Sequence, residues 1–187
     1  AIGHDAMGST ELASKNVGIG TNALKNMTNS STPVDMFNIG IGYNAGTAIT
    51  TGDRNTLVGS LVGDSLTTGQ YNVAIGYQAL QAEDTGDRAV AIGYQALYAQ
   101  NNDLSTYNVA VGFHAGNAVT TGIRNVLIGG LAAQNLAIGE KNIAIGYNAL
   151  GSETNHGLNV AIGDHALATQ QAGANAYNVA VGHNAGL

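Results

Sequence analysis

Cysteine and tryptophan are absent from this chain of 187 residues, and proline occurs once. Without Cys there is no disulfide staple and no thiolate to hold zinc or an iron–sulfur cluster, and the chain fits either redox compartment. Charge is scarce as well. Asp, Glu, Lys and Arg make up 10% of the residues, against roughly 25% in an ordinary soluble domain. The net charge of −6 lays down no basic footprint for nucleic acid or an anionic membrane surface. Long hydrophobic runs are missing too, none approaching the ~18–20 residues that cross a bilayer. Nucleic acid and membrane insertion are therefore not expected.

What the chain has in quantity is glycine, 27 residues, and small apolar residues that recur in register. With 44% apolar content, low charge does not read as disorder. The recurring unit is clearest at Asn72-Val73-Ala74-Ile75-Gly76-Tyr77-Gln78-Ala79-Leu80, which returns as AVAIGYQAL at Ala89 to Leu97 and as NIAIGYNAL at Asn142 to Leu150. Self-similarity at a fixed step marks an array, not an ordinary core. Numbering Asn72 as position one puts the motif glycine at position five. It falls at Gly3, Gly20, Gly42, Gly59, Gly76, Gly93, Gly112, Gly129, Gly146, Gly163 and Gly182, in steps of 17 with three insertions. The insertions lie in Lys25 to Phe37, Tyr98 to Tyr107 and Ala168 to Tyr177, polar stretches where turns accept extra residues. A longer rhythm of 70 residues separates Gly42, Gly112 and Gly182, so blocks 42–111 and 112–181 read as a duplication. The chain opens at Ala1-Ile2-Gly3 and closes at Gly182 to Leu187, both inside motifs, and is expected to be an excerpt of a longer fibre.

Within each unit β-branched residues alternate, as Val73 and Ile75 or Val90 and Ile92 do. Period two with β-branched residues means strand, while the short step and the glycine content exclude helical repeats. The expected fold is all-β: a parallel β-solenoid of about eleven coils, 1–187 as one domain, each coil a strand, a glycine bend, a short second strand and a polar turn. Positions two and four, with the Ala of position eight, are expected to fill the coil. Position three is small except at Leu57 and Leu127, and those two coils also carry Leu61 and Leu131 at position seven. The four leucines are read as sharing a face and as candidate trimer contacts. A narrow coil filled with Ala and Gly buries little apolar surface against its ordering entropy, which favours association with copies of itself.

Three columns draw attention. Position one is Asn in nine of the ten units that include it, and stacked Asn side chains form hydrogen-bonded ladders. The residue before it runs Lys15, Phe37, Arg54, Tyr71, Arg88, Tyr107, Arg124, Lys141, Leu158, Tyr177, and alternating cations and rings at coil spacing can stack. Position six carries Tyr43, Tyr77, Tyr94, Phe113 and Tyr147, candidate glycan contacts because exposed rings suit sugar faces.

Catalytic signals are thin. Gly18-Ile19-Gly20-Thr21-Asn22-Ala23 matches a dinucleotide fingerprint without the helix and acid that must follow it. Glu83, Asp84 and Asp87 cluster beside Arg88 and read as a solvated turn, not as the acid–base pair of a glycosidase. His4, His114, His156, His165 and His183 show no metal-binding spacing. Asn26-Met27-Thr28 and Asn29-Ser30-Ser31 are glycosylation sequons. No enzyme activity, cofactor or metal is expected.

Units such as Asn72 to Leu80, joined by turns such as Thr50-Thr51-Gly52 and Thr120-Thr121-Gly122, resemble repeat regions of bacteriophage tail fibres. They are also similar to the shorter head repeats of trimeric autotransporter adhesins. The resemblance covers essentially the whole chain. It implies a left-handed β-roll assembled as an intertwined or side-by-side homotrimer, on a virion tail fibre or a bacterial surface. There it would act as a rigid shaft, with host-surface polysaccharide as a candidate partner. An ice-binding solenoid is the alternative of another class, and it would want a flat face of repeated Thr.

Overall fold

The computed structural model describes residues 1–9, 13–28, 34–171 and 173–187. The sequon Asn29-Ser30-Ser31, in the first insertion, lies outside the described residues. Ten three-residue strands, from Val17–Ile19 to Val179–Val181, form one parallel sheet in chain order. Ile2 bridges to Ile19 and adds a rung at one end. Register is direct: Val73, Ala74 and Ile75 pair with Val90, Ala91 and Ile92, which pair with Val109, Ala110 and Val111. One motif is thus one turn of an all-β parallel β-solenoid of about ten turns. Insertions leave this register intact, as the pairing of Val17 with Ile39 shows across the longest of them.

The phase of the alternation is the reverse of the expected one. Position three is enclosed, with Ala74, Ala91 and Ala110 fully buried, while positions two and four lie on the outside of the coil. The parity follows from position one. Asn55, Asn72, Asn125 and Asn142 are fully buried, and on an extended strand position three must share their side. Val73 and Ile75 therefore cover the outer face.

The interior is filled by position eight (Ala79, Ala96), position nine (Leu80, Leu97) and position twelve (Met27, Ile49, Leu66), all fully buried. Position nine of one coil meets position three of the next, and their sizes complement each other in most coils, Gly63 before Ala74 and Ala133 before Ala144 being exceptions. Leu24 lies against Gly40, where a Cβ would come 2.6 Å from its Cγ. Where position nine shrinks to Gly46 or Gly116, position three grows to Leu57 or Leu127. Those leucines are fully buried core residues, so Leu57 and Leu127 cannot be trimer contacts. Leu61 and Leu131 do not share their face; they stay half-exposed on the outer corner.

Among the described residues the expected second strand after the glycine bend is not built, and the one other sheet is the short pair Ala13–Ser14 with Val34–Asp35 on the far side of the turn. The side of the coil after the bend is a run of turns, because positions seven and nine take positive φ, as at Gln78 (54°) and Leu80 (54°). Its backbone still bonds coil to coil, Leu80 N–H to the Ala96 carbonyl and Gly63 N–H to that of Ala79, both at 3.0 Å. The motif glycine is obligatory for two reasons. Gly76 has φ 132°, which L side chains rarely adopt, and a Cβ there would lie 2.4 Å from the Gly93 carbonyl oxygen.

Candidate functional site

Three features stand on the outside of this frame: an apolar sheet face and, flanking it in sequence, two ladders of side chains. The face is two columns wide. Ile2, Val17, Ile19, Ile75, Ile128, Ile143, Val179 and Val181 are among the exposed large apolar residues, and the remaining members of positions two and four are half-exposed. Nine coil steps of ~4.8 Å give this face a length of roughly 45 Å. Soluble monomers rarely expose a continuous apolar strip of that size.

The ladder before position one is assembled as its composition suggested. Lys15 lies over the Phe37 ring at 5.3 Å, and Arg54 lies between Phe37 (5.8 Å) and Tyr71 (5.3 Å). Arg88 lies between Tyr71 (5.2 Å) and Tyr107 (5.8 Å). Acids neutralise it from the side: Asp35 binds Lys15 at 2.6 Å, Asp53 pairs with Arg54, and Asp87 sits 3.3 Å from Arg88. Lys15 and Ser14 hold the Asp35 carboxyl below its ordinary range by hydrogen bonding. All of these donors and rings already have partners inside the chain, so the ladder is a structural edge.

The position-six column is exposed and partly stacked. Tyr77 and Tyr94 have ring centroids 5.6 Å apart, Tyr94 and Phe113 5.3 Å, both nearly parallel. His114 stacks on Phe113 at 4.2 Å. Tyr43 and Tyr147, the other two candidate glycan contacts, stand in the same column and are exposed.

Inside the coil, the side chains of the Asn column are hydrogen-bonded to the backbone of neighbouring coils. The Asn72 side chain accepts from Ala89 N–H (2.9 Å) and donates to the Gly86 carbonyl (2.9 Å), and its own N–H donates to Asn55 Oδ1 (3.0 Å). Asn125, Asn142 and Asn159 continue the same ladder. This settles the Asn column as architecture. The acidic cluster, by contrast, is not one solvated turn. Glu83 occupies position twelve, where Leu66 and Leu136 stand in other coils, and is fully buried. Its carboxylate accepts from Gly86 N–H (2.7 Å), Gln100 Nε2 (3.0 Å) and Asn102 N–H (3.3 Å). Burial raises its pKa, against the lowering effect of those hydrogen bonds. Sequence reasoning missed this group, although its spacing of 17 from Leu66 and Gln100 was the available signal. Asp84 and Asp87 remain half-exposed, so the three carboxyls do not converge. Among the described residues no group of three or more His, Asp or Glu is gathered as a metal site would need.

The glycines of the dinucleotide-like match, Gly18 and Gly20, are positions three and five of an ordinary coil, with Gly18 against the Met7 side chain. The chain matches no known family, no curated protein and no solved structure.

Proposed function

We propose that this repeat domain is a rigid shaft segment of a homotrimeric virion tail fibre, which carries attachment to host-surface glycan. The observation that supports the assembly is the outer strip of Val and Ile. A long apolar strip on a rod is buried most fully when identical rods bring the same strip to a common axis, and closed cyclic symmetry leaves none exposed. Three narrow strips meeting at one axis suit a face only two columns wide. The tail-fibre assignment draws on the likeness of the motif and its Thr-Gly turns to phage fibre repeats.

Mass in solution tests the assembly. Light scattering should give about 57 kDa, three times the 18.9 kDa chain. Replacing Val73, Ile75, Val90 and Ile92 by Thr keeps β-branching, which Thr56 shows the strand accepts, and removes apolar surface. That variant should keep its β-sheet circular dichroism and shift toward monomer. A wild-type monomer of 18.9 kDa would sink the proposal.

A further inference from the structure

Between Tyr43 and Tyr147 the aromatic column at position six is interrupted twice. Going along the rod it reads Tyr43, Ser60, Tyr77, Tyr94, Phe113, Gly130, Tyr147, so Ser60 and Gly130 each interrupt it between two rings. The coils at the gaps are stacked like the others. Leu61 N–H donates to the Tyr43 carbonyl and Gln78 N–H to that of Ser60 (2.8 and 3.1 Å), while Leu131 N–H and Asn148 N–H do the same across Gly130 (2.8 and 2.9 Å). The rings on either side of a gap are therefore two coil steps apart. Two steps separate Tyr77 from Phe113 as well, and that pair stands roughly 11 Å apart with the Tyr94 ring between them. A gap is thus the place of one missing ring.

Exposure rises at three of the four rings that border gaps: Tyr43, Phe113 and Tyr147 are 52%, 55% and 52% exposed, while Tyr77 at the first gap, at 44%, matches Tyr94, which is stacked on both sides and 43% exposed. Tyr147 roofs the second gap, because a Cβ on Gly130 would touch its ring at 3.4 Å. Phe113 borders the same gap from the other side, stacked on Tyr94 and on His114. The two gap coils are also those in which position seven is leucine. Elsewhere this position holds a polar side chain, and His114 stacks on the Phe113 ring of its own coil. Leu61 and Leu131 share its left-handed backbone, with φ of 56° and 60°, and put a half-exposed apolar residue next in sequence to each gap. The polar residues next to each gap belong to the bordering coils: Asn44 and Gln78 at one, His114 and Asn148 at the other.

We propose that the gaps over Ser60 and Gly130 are saccharide-binding sites, each taking one pyranose ring between two aromatic faces. Carbon–carbon contacts of ~3.5–4.0 Å on both faces of a sugar fit within the space of one omitted ring. The bordering amides and imidazole supply donors and acceptors for its hydroxyls. The sites lie four coils apart, about 19 Å, so one glycan running along the rod can engage both. This deepens the glycan-attachment part of the function proposed above and does not depend on the trimer.

The test is saturation-transfer NMR of the full chain with methyl glucoside, methyl galactoside, methyl mannoside and N-acetylglucosamine. At least one should receive saturation on its ring protons. The double variant Ser60→Tyr, Gly130→Tyr completes the stack with a side chain that position six already carries in four coils, and Gly130 has an ordinary φ. It should lose the signal at least tenfold while keeping its melting temperature and its mass. If filling disturbs the fold, Tyr43→Leu with Phe113→Leu opens one wall of each gap and should give the same loss. No saturation of any pyranoside at tens of millimolar, or equal binding by the filled variant, overturns the proposal. A monomer that binds sugar and loses it on filling removes the fibre assembly and leaves the sites standing; a trimer that ignores all four sugars does the opposite.

Discussion

A Cβ added to Gly46 would fall 2.7 Å from Cδ1 of Leu57, one coil further on. The two residues divide a single space, and across the rod the same division recurs with Leu24 on Gly40 and Gly116 under Leu127. Leu57→Ala therefore leaves a cavity and should cost about 2–5 kcal/mol. Leu57→Asp should unfold the neighbouring coils instead of separating intact subunits. Gly46→Leu alone should clash, yet Leu80 shows that position nine accepts Leu at φ 54°. Combining Leu57→Ala with Gly46→Leu should recover most of the loss, and additive costs in urea denaturation would count against the shared space.

The Asn ladder makes a second case. Removing the Asn72 side chain strands the Ala89 N–H and the Gly86 carbonyl, both partnered by it now. Each buried unsatisfied group costs about 1–3 kcal/mol. Asn72→Ala should lower the melting temperature, and Asn72→Leu should lower it further because the bulk cannot be satisfied either. Amide hydrogen exchange at Ala89 should accelerate in both variants.

Glu83 gives the chain a pH dependence of defined sign. Its folded pKa is raised above the ordinary 4.5, so the folded state holds the proton more tightly than the unfolded chain. The stability it contributes is complete below 4.5 and is lost as pH climbs through the raised folded value. Asp64, raised by burial, adds in the same direction; Asp5 and Asp35, lowered by Lys25 and Lys15, act the opposite way at lower pH. The difference in melting temperature between wild type and Glu83→Gln isolates the one group. Their separation should change steadily as pH rises above 4.5 in favour of the variant, and parallel curves would show that Glu83 does not titrate there.

The ladder of cations and rings predicts coupling without much stability. Arg88 is 5.2 Å from the Tyr71 ring on an exposed edge. A double-mutant cycle of Arg88→Ala and Tyr71→Ala should return about 0.5–1 kcal/mol. The variant Arg88→Lys should keep part of the coupling, and zero interaction energy would mean the column only covers the edge.

Much of this architecture was legible without coordinates. The step of 17, the strand at Val73 to Ile75, the glycine bend, the harmless insertions and the Asn ladder all follow from repetition and backbone chemistry. So did the stacking of Arg54 and Arg88 on their rings, since coil spacing alone brings neighbours in a column together.

Other features depended on three-dimensional packing. Alternation of Val and Ile is identical whether they face in or out, and a one-residue change of phase exchanges the two faces. The buried Asn column decided it, because a side chain that satisfies backbone groups inside the coil carries position three in with it. That choice put Leu57 and Leu127 in the core, made the β-branched residues a surface strip, and turned Glu83 from a loop acid into a buried one. The short side of the coil, expected to be a strand, became turns because position-seven and position-nine residues adopt left-handed conformations that no local propensity of Leu or Gln predicts. By itself the sequence determined the period and the order of the coils. Only the tertiary structure decided which way each side chain points, because that depends on contacts between coils 17 residues apart and not on any stretch of neighbours.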